Sequence, residues 1–156
     1  MKPDNLMEHP EGGRFKEVFR SCEKVKTERG ERSALTHIYF SLNEGEMSRF
    51  HKVVSDEVWN LYQGEGLIIY TWDESNTQPQ RTILSADKNR FCHVVPAGIW
   101  QAAISLFGRV LVGCSVGPGF EFDDFTLMEP GSHEAQKLIA VAPESKPLVT
   151  GISGGE

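Results

Sequence analysis

The feature that most constrains the fold is a series of short, β-prone runs that recurs along most of the chain. The runs are rich in Val, Ile, Phe, Tyr, Trp and Thr, and turn-forming segments such as 73–76 and 117–119 separate them. Ten such runs are found, at residues 14–20, 34–42, 48–54, 57–63, 67–72, 81–84, 91–95, 100–106, 110–116 and 120–127. Many short strands at this spacing are typical of a β-sandwich or jelly roll. The sequence therefore predicts an all-β fold.

One segment after the last run has the pattern of a helix. Residues 132–142 begin with Ser132, a residue type that caps helix N-termini, and end before Pro143. Residues 144–156 contain Pro, Ser and Gly, which predicts a frayed end. At 156 residues the chain has the length of one domain. We expect residues 1–128 to form a β-barrel and residues 129–156 a short C-terminal helix and flexible tail.

Composition excludes several classes of partner. The formal charge is −6 and no run of Lys and Arg is present, so we expect neither nucleic acid nor a membrane surface as a partner. The N-terminus has no apolar export signal, and no stretch is long and apolar enough to span a membrane. Cys22, Cys92 and Cys114 are widely spaced and odd in number, which fits neither a disulfide framework nor a zinc motif. These features predict a cytoplasmic protein with inert thiols.

Three polar side chains fall at unusual positions within the apolar runs. Strand alternation puts His51 on one face with Arg49, and Glu57 on one face with Trp59. A carboxylate on an interior face needs a cation, a metal or a hydrogen-bond partner, and His51 is the obvious candidate. Gln101 shares its face with small residues that leave room for a ligand. The sequence therefore predicts a polar floor in an otherwise apolar barrel.

The spacing of these residues resembles the two signatures of the cupin superfamily. Gly45, His51, Glu57 and Gly64 match the first signature, Gly-x5-His-x-His-x3-4-Glu-x6-Gly, with Val53 at the second histidine position. Residues 96–101 match the second signature, Pro-x-Gly-x-x-His, with Gln101 at the final histidine. Further segments resemble the small cupins of domain of unknown function 985, at residues 9–21, 32–40, 56–59, 95–101, 112–114 and 118–122. The resemblance runs from about residue 9 to residue 127.

The resemblance implies a fold, and no particular reaction follows from a fold alone. It implies a double-stranded β-helix, the cupin jelly-roll barrel, with a short C-terminal helix. It also implies a homodimer and a pocket for a small-molecule ligand at the barrel mouth. Family structures resemble sugar-nucleotide epimerases, and residues 13–17 are similar to a segment of those enzymes.

The replaced histidines leave two interpretations of the polar floor. In the first, His51, Glu57 and Gln101 ligate a divalent metal such as Zn, Fe, Mn or Ni. In the second, His51 and Glu57 form a hydrogen bond in a metal-free pocket, which satisfies both groups. No other cofactor is indicated by the sequence.

Without a metal, His51 held by Glu57 is a candidate general base, because a carboxylate partner raises the basicity of an imidazole. Tyr39 and Tyr62 are candidate acids on the opposite side of a substrate carbon. Their alternative role is packing, with each hydroxyl at the barrel rim.

The remaining candidates are ligand contacts. Arg20 and Arg49 can grip a carboxylate or phosphate, or else form structural pairs with Glu11 or Glu17. Residues 9–13, which include Glu11, can form a ligand-contacting loop or a turn that needs positive φ at a glycine. Four aromatic residues can line the pocket or fill the core: Trp59, Trp100, Phe120 and Phe122.

Two classes of function remain open. One is an enzyme that transfers protons on a small, sugar-like or carbonyl-containing substrate by isomerisation, epimerisation or elimination. The other is a binding protein that holds such a ligand without converting it. A metal-dependent oxygenase is a weaker third alternative, since two ligands fall short of the usual two-histidine, one-carboxylate triad.

Overall fold

The computed structural model describes residues 5–152, which form thirteen β-strands and two α-helices. The strands are β1 (Met7–Glu8), β2 (Arg14–Arg20), β3 (Lys24–Thr27), β4 (Gly30–Ser33), β5 (Thr36–Leu42), β6 (Met47–Val53), β7 (Asp56–Gln63), β8 (Leu67–Trp72), β9 (Gln80–Leu84), β10 (Cys92–Val95), β11 (Trp100–Ser105), β12 (Val110–Gly117) and β13 (Phe125–Leu127). The helices are α1 (His133–Val141) and α2 (Lys146–Thr150). Across the described residues, neither helix has the length and apolar character needed to cross a membrane.

Two antiparallel sheets make up the body of the protein. The first has the order β1-β2-β5-β12-β7-β10, and the second has the order β13-β6-β11-β8-β9. Phe40 and Trp59 of the first sheet share one buried cluster with Leu67 and Ile69 of the second. The strands alternate, so that their apolar side chains meet between the sheets. This confirms the all-β jelly roll with a short C-terminal helix.

The C-terminal helices cover the outer face of the five-stranded sheet. Trp100 of β11 belongs to a second buried cluster that includes Leu138 of α1 and Leu148 of α2. Ser132 caps α1 as predicted, since its Oγ accepts the N–H of Ala135 at 3.2 Å. The frayed segment predicted from residue 144 instead includes α2, because Leu148 and its neighbour are apolar and bury against the sheet. The end of the predicted tail, 153–156, lies outside the described residues.

An irregularity in β6 decides which of its side chains face the inside. His51 is opposite Gln101, while Ser48 is opposite Ala103, so three steps along β6 match two steps along β11. This extra residue is a β-bulge. It turns Arg49 outward, where Nε and Nη2 donate to the carbonyl oxygen of Val149 at 3.0 and 2.8 Å. The predicted shared face of His51 and Arg49 is therefore wrong.

A small hairpin, β3 and β4, lies apart from the two sheets and was absent from the predicted strands. Arg32 donates to both oxygens of Asp124, at 2.8 and 3.0 Å, and Arg29 donates to one of them at 2.8 Å. Asp124 closes a short 3₁₀ turn, Phe122–Asp124, where the sequence predicted continuous strand. The hairpin thus anchors the segment between β12 and β13.

Replacing Asp124 with alanine is expected to lower Tm by about 5 °C, because it leaves two guanidinium groups without the carboxylate that pairs them. The neighbouring Asp123→Ala variant is the control, since this side chain is exposed. Calorimetric melting of both variants measures the difference. Equal Tm values would show that the ion pairs do not anchor the hairpin.

Candidate functional site

A pocket of about 100 Å³ lies between the two sheets, beside the segment that follows β12. Its lining combines ionisable and aromatic side chains: His9, Glu11, Phe15, Glu17, Arg20, Thr36, Ile38, His51, Val53, Glu57, Cys114, Val116, Phe120, Glu121, Phe122 and Phe125. Glu17 and Glu121 at its edge are well exposed, while His51 and Glu57 are buried. The pocket therefore runs from a charged opening to a buried polar interior.

The turn before β2 supplies two of the interior side chains. Gly12 has φ +110° and Gly13 has φ +73°, and a side chain on Gly12 would collide with the carbonyl of Met47. The turn is closed by hydrogen bonds between the backbones of His9 and Gly13 at 3.0 Å and of Gly12 and His9 at 2.9 Å. The positive-φ turn considered for residues 9–13 is present, and it brings His9 and Glu11 to the pocket lining.

His51 is held as a neutral imidazole with one free nitrogen. Its Nδ1 lies 2.7 Å from the carbonyl oxygen of Arg49, and because a carbonyl only accepts, Nδ1 carries the proton. Burial lowers the pKa of His51 to about 4, against the opposing effect of that hydrogen bond. Within residues 5–152, Nε2 has no hydrogen-bond partner. A lone pair is therefore available on a side chain that is 1 % exposed and lines the pocket.

Glu11 lies between two imidazoles. One carboxyl oxygen is 3.2 Å from Nδ1 of His9, and the other is 3.4 Å from Nδ1 of His51. Ser48 donates its hydroxyl to Glu11. Burial raises the pKa of Glu11 well above its usual value, and the nearby Glu57 raises it further. Burial, and then the nearby His51, lower the pKa of His9 to about 3. Glu11, His9 and His51 thus form one buried network in which burial disfavours the charged form of each group.

Glu57 ends a chain of hydrogen bonds that starts in the core. The indole N–H of Trp59 donates to Oε1 of Gln101 at 2.6 Å, and Nε2 of Gln101 donates to Oε1 of Glu57 at 2.9 Å. Because an indole nitrogen only donates, the amide oxygen of Gln101 must face Trp59. Burial raises the pKa of Glu57 to about 7, while hydrogen bonds from Gln101 and Cys114 oppose the rise. Glu57 is thus poised to gain or lose a proton near neutral pH.

Comparison with known proteins identifies the family. The family model described as Cupin superfamily (DUF985) matches residues 2–128. The chain belongs to this family. An uncharacterized Saccharomyces cerevisiae protein is 26 % identical over an alignment of 152 residues, and the match covers 86 % of this cupin and 75 % of that protein.

Two solved structures of similar size support the fold. A hypothetical protein from Leishmania major has a TM-score of 0.76 and 26 % identity, covering 94 % of this chain and 92 % of its own. A Shewanella oneidensis protein has a TM-score of 0.74 and 32 % identity, covering 97 % of this chain and 92 % of its own. The family resemblance seen in the sequence is confirmed.

The donor groups of this cupin do not fit a metal ion. The amide oxygen of Gln101 is taken by Trp59, and its N–H groups, which cannot ligate a cation, face Glu57. Val53 offers no ligand at the position of the second motif histidine. In the part of the chain that the structure describes, no three His, Cys, Asp or Glu side chains are grouped to hold a metal. The predicted set of His51, Glu57 and Gln101 thus lacks its third ligand.

Several predicted site residues line the same pocket, but their hydrogen-bond partners differ from the predicted ones. Although His51 and Glu57 line one pocket, no hydrogen bond joins them within residues 5–152, since His51 bonds Arg49 and Glu57 bonds Gln101. Glu11, Arg20, Phe120 and Phe122 also line the pocket, and Gln101 supports Glu57 from behind it. Trp59 fills the core and acts through Gln101.

The other predicted site residues lie elsewhere. Tyr39 and Tyr62 pack on each other on the outside of the six-stranded sheet, with ring centroids 6.0 Å apart, and Tyr62 bonds His37. Trp100 lies under the C-terminal helices and donates to Glu74 at 2.7 Å. Arg49 donates to the carbonyl of Val149 on the outer face of the five-stranded sheet, which the helices cover. These four side chains do not reach the acid-base groups.

The sequence did not single out Cys114 and Phe125 as pocket residues, and it indicated His9 only as part of the segment 9–13. His9 belongs to a recognised segment, but only the turn at Gly12 and Gly13 reveals its direction. Cys114 and Phe125 alternate like ordinary core residues, so no sequence signal separates them from packing.

Proposed function

We propose that this cupin is an isomerase that moves a proton between adjacent carbons of a small hydroxy-carbonyl compound. The observation that carries the proposal is the enclosure of Glu57, whose pKa is about 7, in one pocket with the free Nε2 lone pair of neutral His51. An acid-base catalyst works best when its pKa lies near the operating pH. The limited volume of the pocket supports a small substrate.

The chemistry needs one proton carrier and one hydroxyl partner. The Glu57 carboxylate removes the proton from the hydroxyl-bearing carbon beside the carbonyl, and the C–H electron pair forms the C=C bond of an enediolate. The carbonyl electron pair moves to its oxygen. Glu57 then returns the proton to the former carbonyl carbon, and Nε2 of His51 passes the hydroxyl proton to the neighbouring oxygen. Both groups end in their starting states, so no further reactant is required.

Two supporting groups tune these roles. Gln101 gives Glu57 one fixed N–H donor, which steadies the carboxylate as it forms. The Arg49 carbonyl fixes the tautomer of His51 and keeps its lone pair on Nε2. Glu11 is a positioning residue, since it lies on the Nδ1 side of the imidazole.

Proton exchange provides the test. Wild type would be incubated in D₂O with glyceraldehyde, dihydroxyacetone and larger hydroxy-ketones, and ¹H NMR would follow deuterium entry beside the carbonyl. We expect Glu57→Gln to slow exchange by at least about 10²-fold, and His51→Phe also to slow it. Glu65→Gln, at an exposed position away from the pocket, should exchange like wild type. A compound that binds without exchange would favour a binding protein instead, and full exchange by Glu57→Gln would overturn the role of Glu57.

A further inference from the structure

The arginine that lines the pocket is already engaged by acidic partners. Arg20 donates from Nε and Nη2 to Glu17, at 3.2 and 2.7 Å, and from Nη1 to Glu121 at 3.0 Å. Its Nη2 also donates to the carbonyl of Phe120 at 2.9 Å. The structural alternative considered for Arg20 is thus the one realised. A guanidinium held by two carboxylates offers no free fork to an anionic ligand.

The rest of the lining favours positive charge. Against this one arginine, the carboxylates of Glu17 and Glu121 lie at the opening, and Glu57, whose pKa is about 7, lies in the interior. The aromatic part of the lining consists of phenylalanines, Phe15, Phe120, Phe122 and Phe125, whose neighbouring ring centroids lie 5.0 to 6.4 Å apart. The faces of aromatic rings attract ammonium groups, and clusters of rings recognise quaternary ammonium ligands. Glu17 and Glu121 add negative charge where the pocket meets solvent.

A second observation points to a polar group on the same ligand. His51 is almost wholly buried and lines the pocket with Nε2 unpartnered within residues 5–152. An unprotonated imidazole nitrogen accepts a hydrogen bond, so Nε2 can receive one from a donor in the pocket. A hydroxyl group on the ligand would satisfy it.

We propose that the pocket binds a small organic cation, in which an alkylammonium group contacts the phenylalanines and a hydroxyl group reaches His51. This inference rests on the pocket of the proposed function and names its substrate class, but it does not depend on proton transfer. It excludes carboxylates and phosphates as preferred ligands, against the anion grip that Arg20 suggested in the sequence.

Binding of a cation should also be coupled to the ionisation of Glu57. The groups that face this carboxyl are Gln101 from β11, Cys114 from β12, His51 from β6 and Glu11 from the N-terminal turn. Among them, none is a permanent cation, so a bound ammonium would favour the carboxylate. The affinity for a cation should therefore increase as the pH rises through about 7.

Three probes of one shape separate the effect of charge from that of size. They are choline, its neutral carbon isostere 3,3-dimethylbutan-1-ol and the anion 3,3-dimethylbutanoate, each titrated into the full chain by calorimetry at pH 7.5. We expect choline to bind about tenfold more tightly than the neutral alcohol, and the anion to bind most weakly. Equal affinities, tighter binding of the anion, or no binding of any probe would overturn the inference.

Variants at the opening provide the second arm of the test. Phe122→Leu keeps an apolar side chain at a half-exposed position and should weaken choline binding about fivefold while leaving the neutral alcohol nearly unchanged. The double variant Glu17→Gln, Glu121→Gln frees Arg20 and should shift preference toward the anion. Glu65→Gln should behave as wild type. If Phe122→Leu weakened both probes equally, the ring would act only by packing, and the cation site would be rejected.

The two proposals fail in different ways. Choline-selective binding without deuterium exchange in any bound hydroxy-carbonyl compound would remove the isomerase and keep the cation site. Deuterium exchange on neutral sugars, with no preference for choline, would remove the cation site and keep the isomerase.

Discussion

Glutamine at position 57 is expected to make the fold more stable above pH 7 while removing the carboxyl that we propose as the proton carrier. Burial raises the pKa of Glu57 from 4.5 to about 7, so the folded state holds this proton more tightly than the unfolded chain. The stability that this proton contributes is fully present below pH 4.5 and is lost as the pH rises through about 7. The shift corresponds to about 3 kcal/mol, which a neutral amide avoids.

Urea unfolding at pH 4.5 and pH 8.5 measures this effect. Glu57→Gln should unfold with a free energy about 3 kcal/mol above wild type at pH 8.5 and close to wild type at pH 4.5. Its amide oxygen still accepts the N–H of Gln101, so the hydrogen-bond chain is kept. Glu65→Gln serves as the matched surface control.

Comparing Glu57→Gln with wild type also cancels the contribution of the histidines to the pH dependence of stability. The pKa values of His9 and His51 are lowered, to about 3 and about 4, so their contribution is present above pH 6.5 and is lost as the pH falls. Both proteins carry these groups, and only Glu57 differs. A gain that did not change with pH would show that the Glu57 carboxyl is not strained by burial. A catalytic group that lowers stability is a common cost of function.

The fold was predictable because its signals are periodic and repeated along the chain. Alternating apolar residues place Phe40, Trp59 and Ile69 between the sheets, and Ser132 marks the start of α1. The hairpin of β3 and β4 was missed because its residues are mostly polar and gain order from ion pairs to Asp124, far along the chain. A long-range ion pair leaves no local pattern in a sequence.

The candidate site was predictable only in part. Spacing and alternation placed His51 and Glu57 in one pocket, but they did not give the partner of either group. The bulge in β6 separates Arg49 from His51 and lets the Arg49 carbonyl bind the imidazole. A bulge depends on register against β11, which sequence alternation assumes to be regular.

Gln101 connects the stability of the core to the acidity of Glu57, which makes Gln101→Leu the second variant with a large expected effect. Leucine fills a similar volume at this fully buried position but removes the acceptor of Trp59 and the donor to Glu57. The buried N–H of Trp59 is then left unpaired and Glu57 keeps only the hydrogen bond from Cys114, so we expect the free energy of unfolding to fall by about 3 kcal/mol. The pKa of Glu57 should rise further, because a hydrogen bond that lowers it is lost.

A double-mutant cycle with Trp59→Phe separates the two losses. Phenylalanine has no N–H, so Gln101→Leu should cost less in the Trp59→Phe background, by about 1 kcal/mol or more. The pH midpoint of proton exchange should shift upward in both Gln101→Leu backgrounds, since Glu57 loses the same donor in each. If the cycle were additive and the midpoint unchanged, Gln101 would only fill space. If the pH midpoint of exchange moved and the two substitutions remained coupled, Gln101 would set the pKa of Glu57. It would do so from the position that a histidine holds in the second cupin signature.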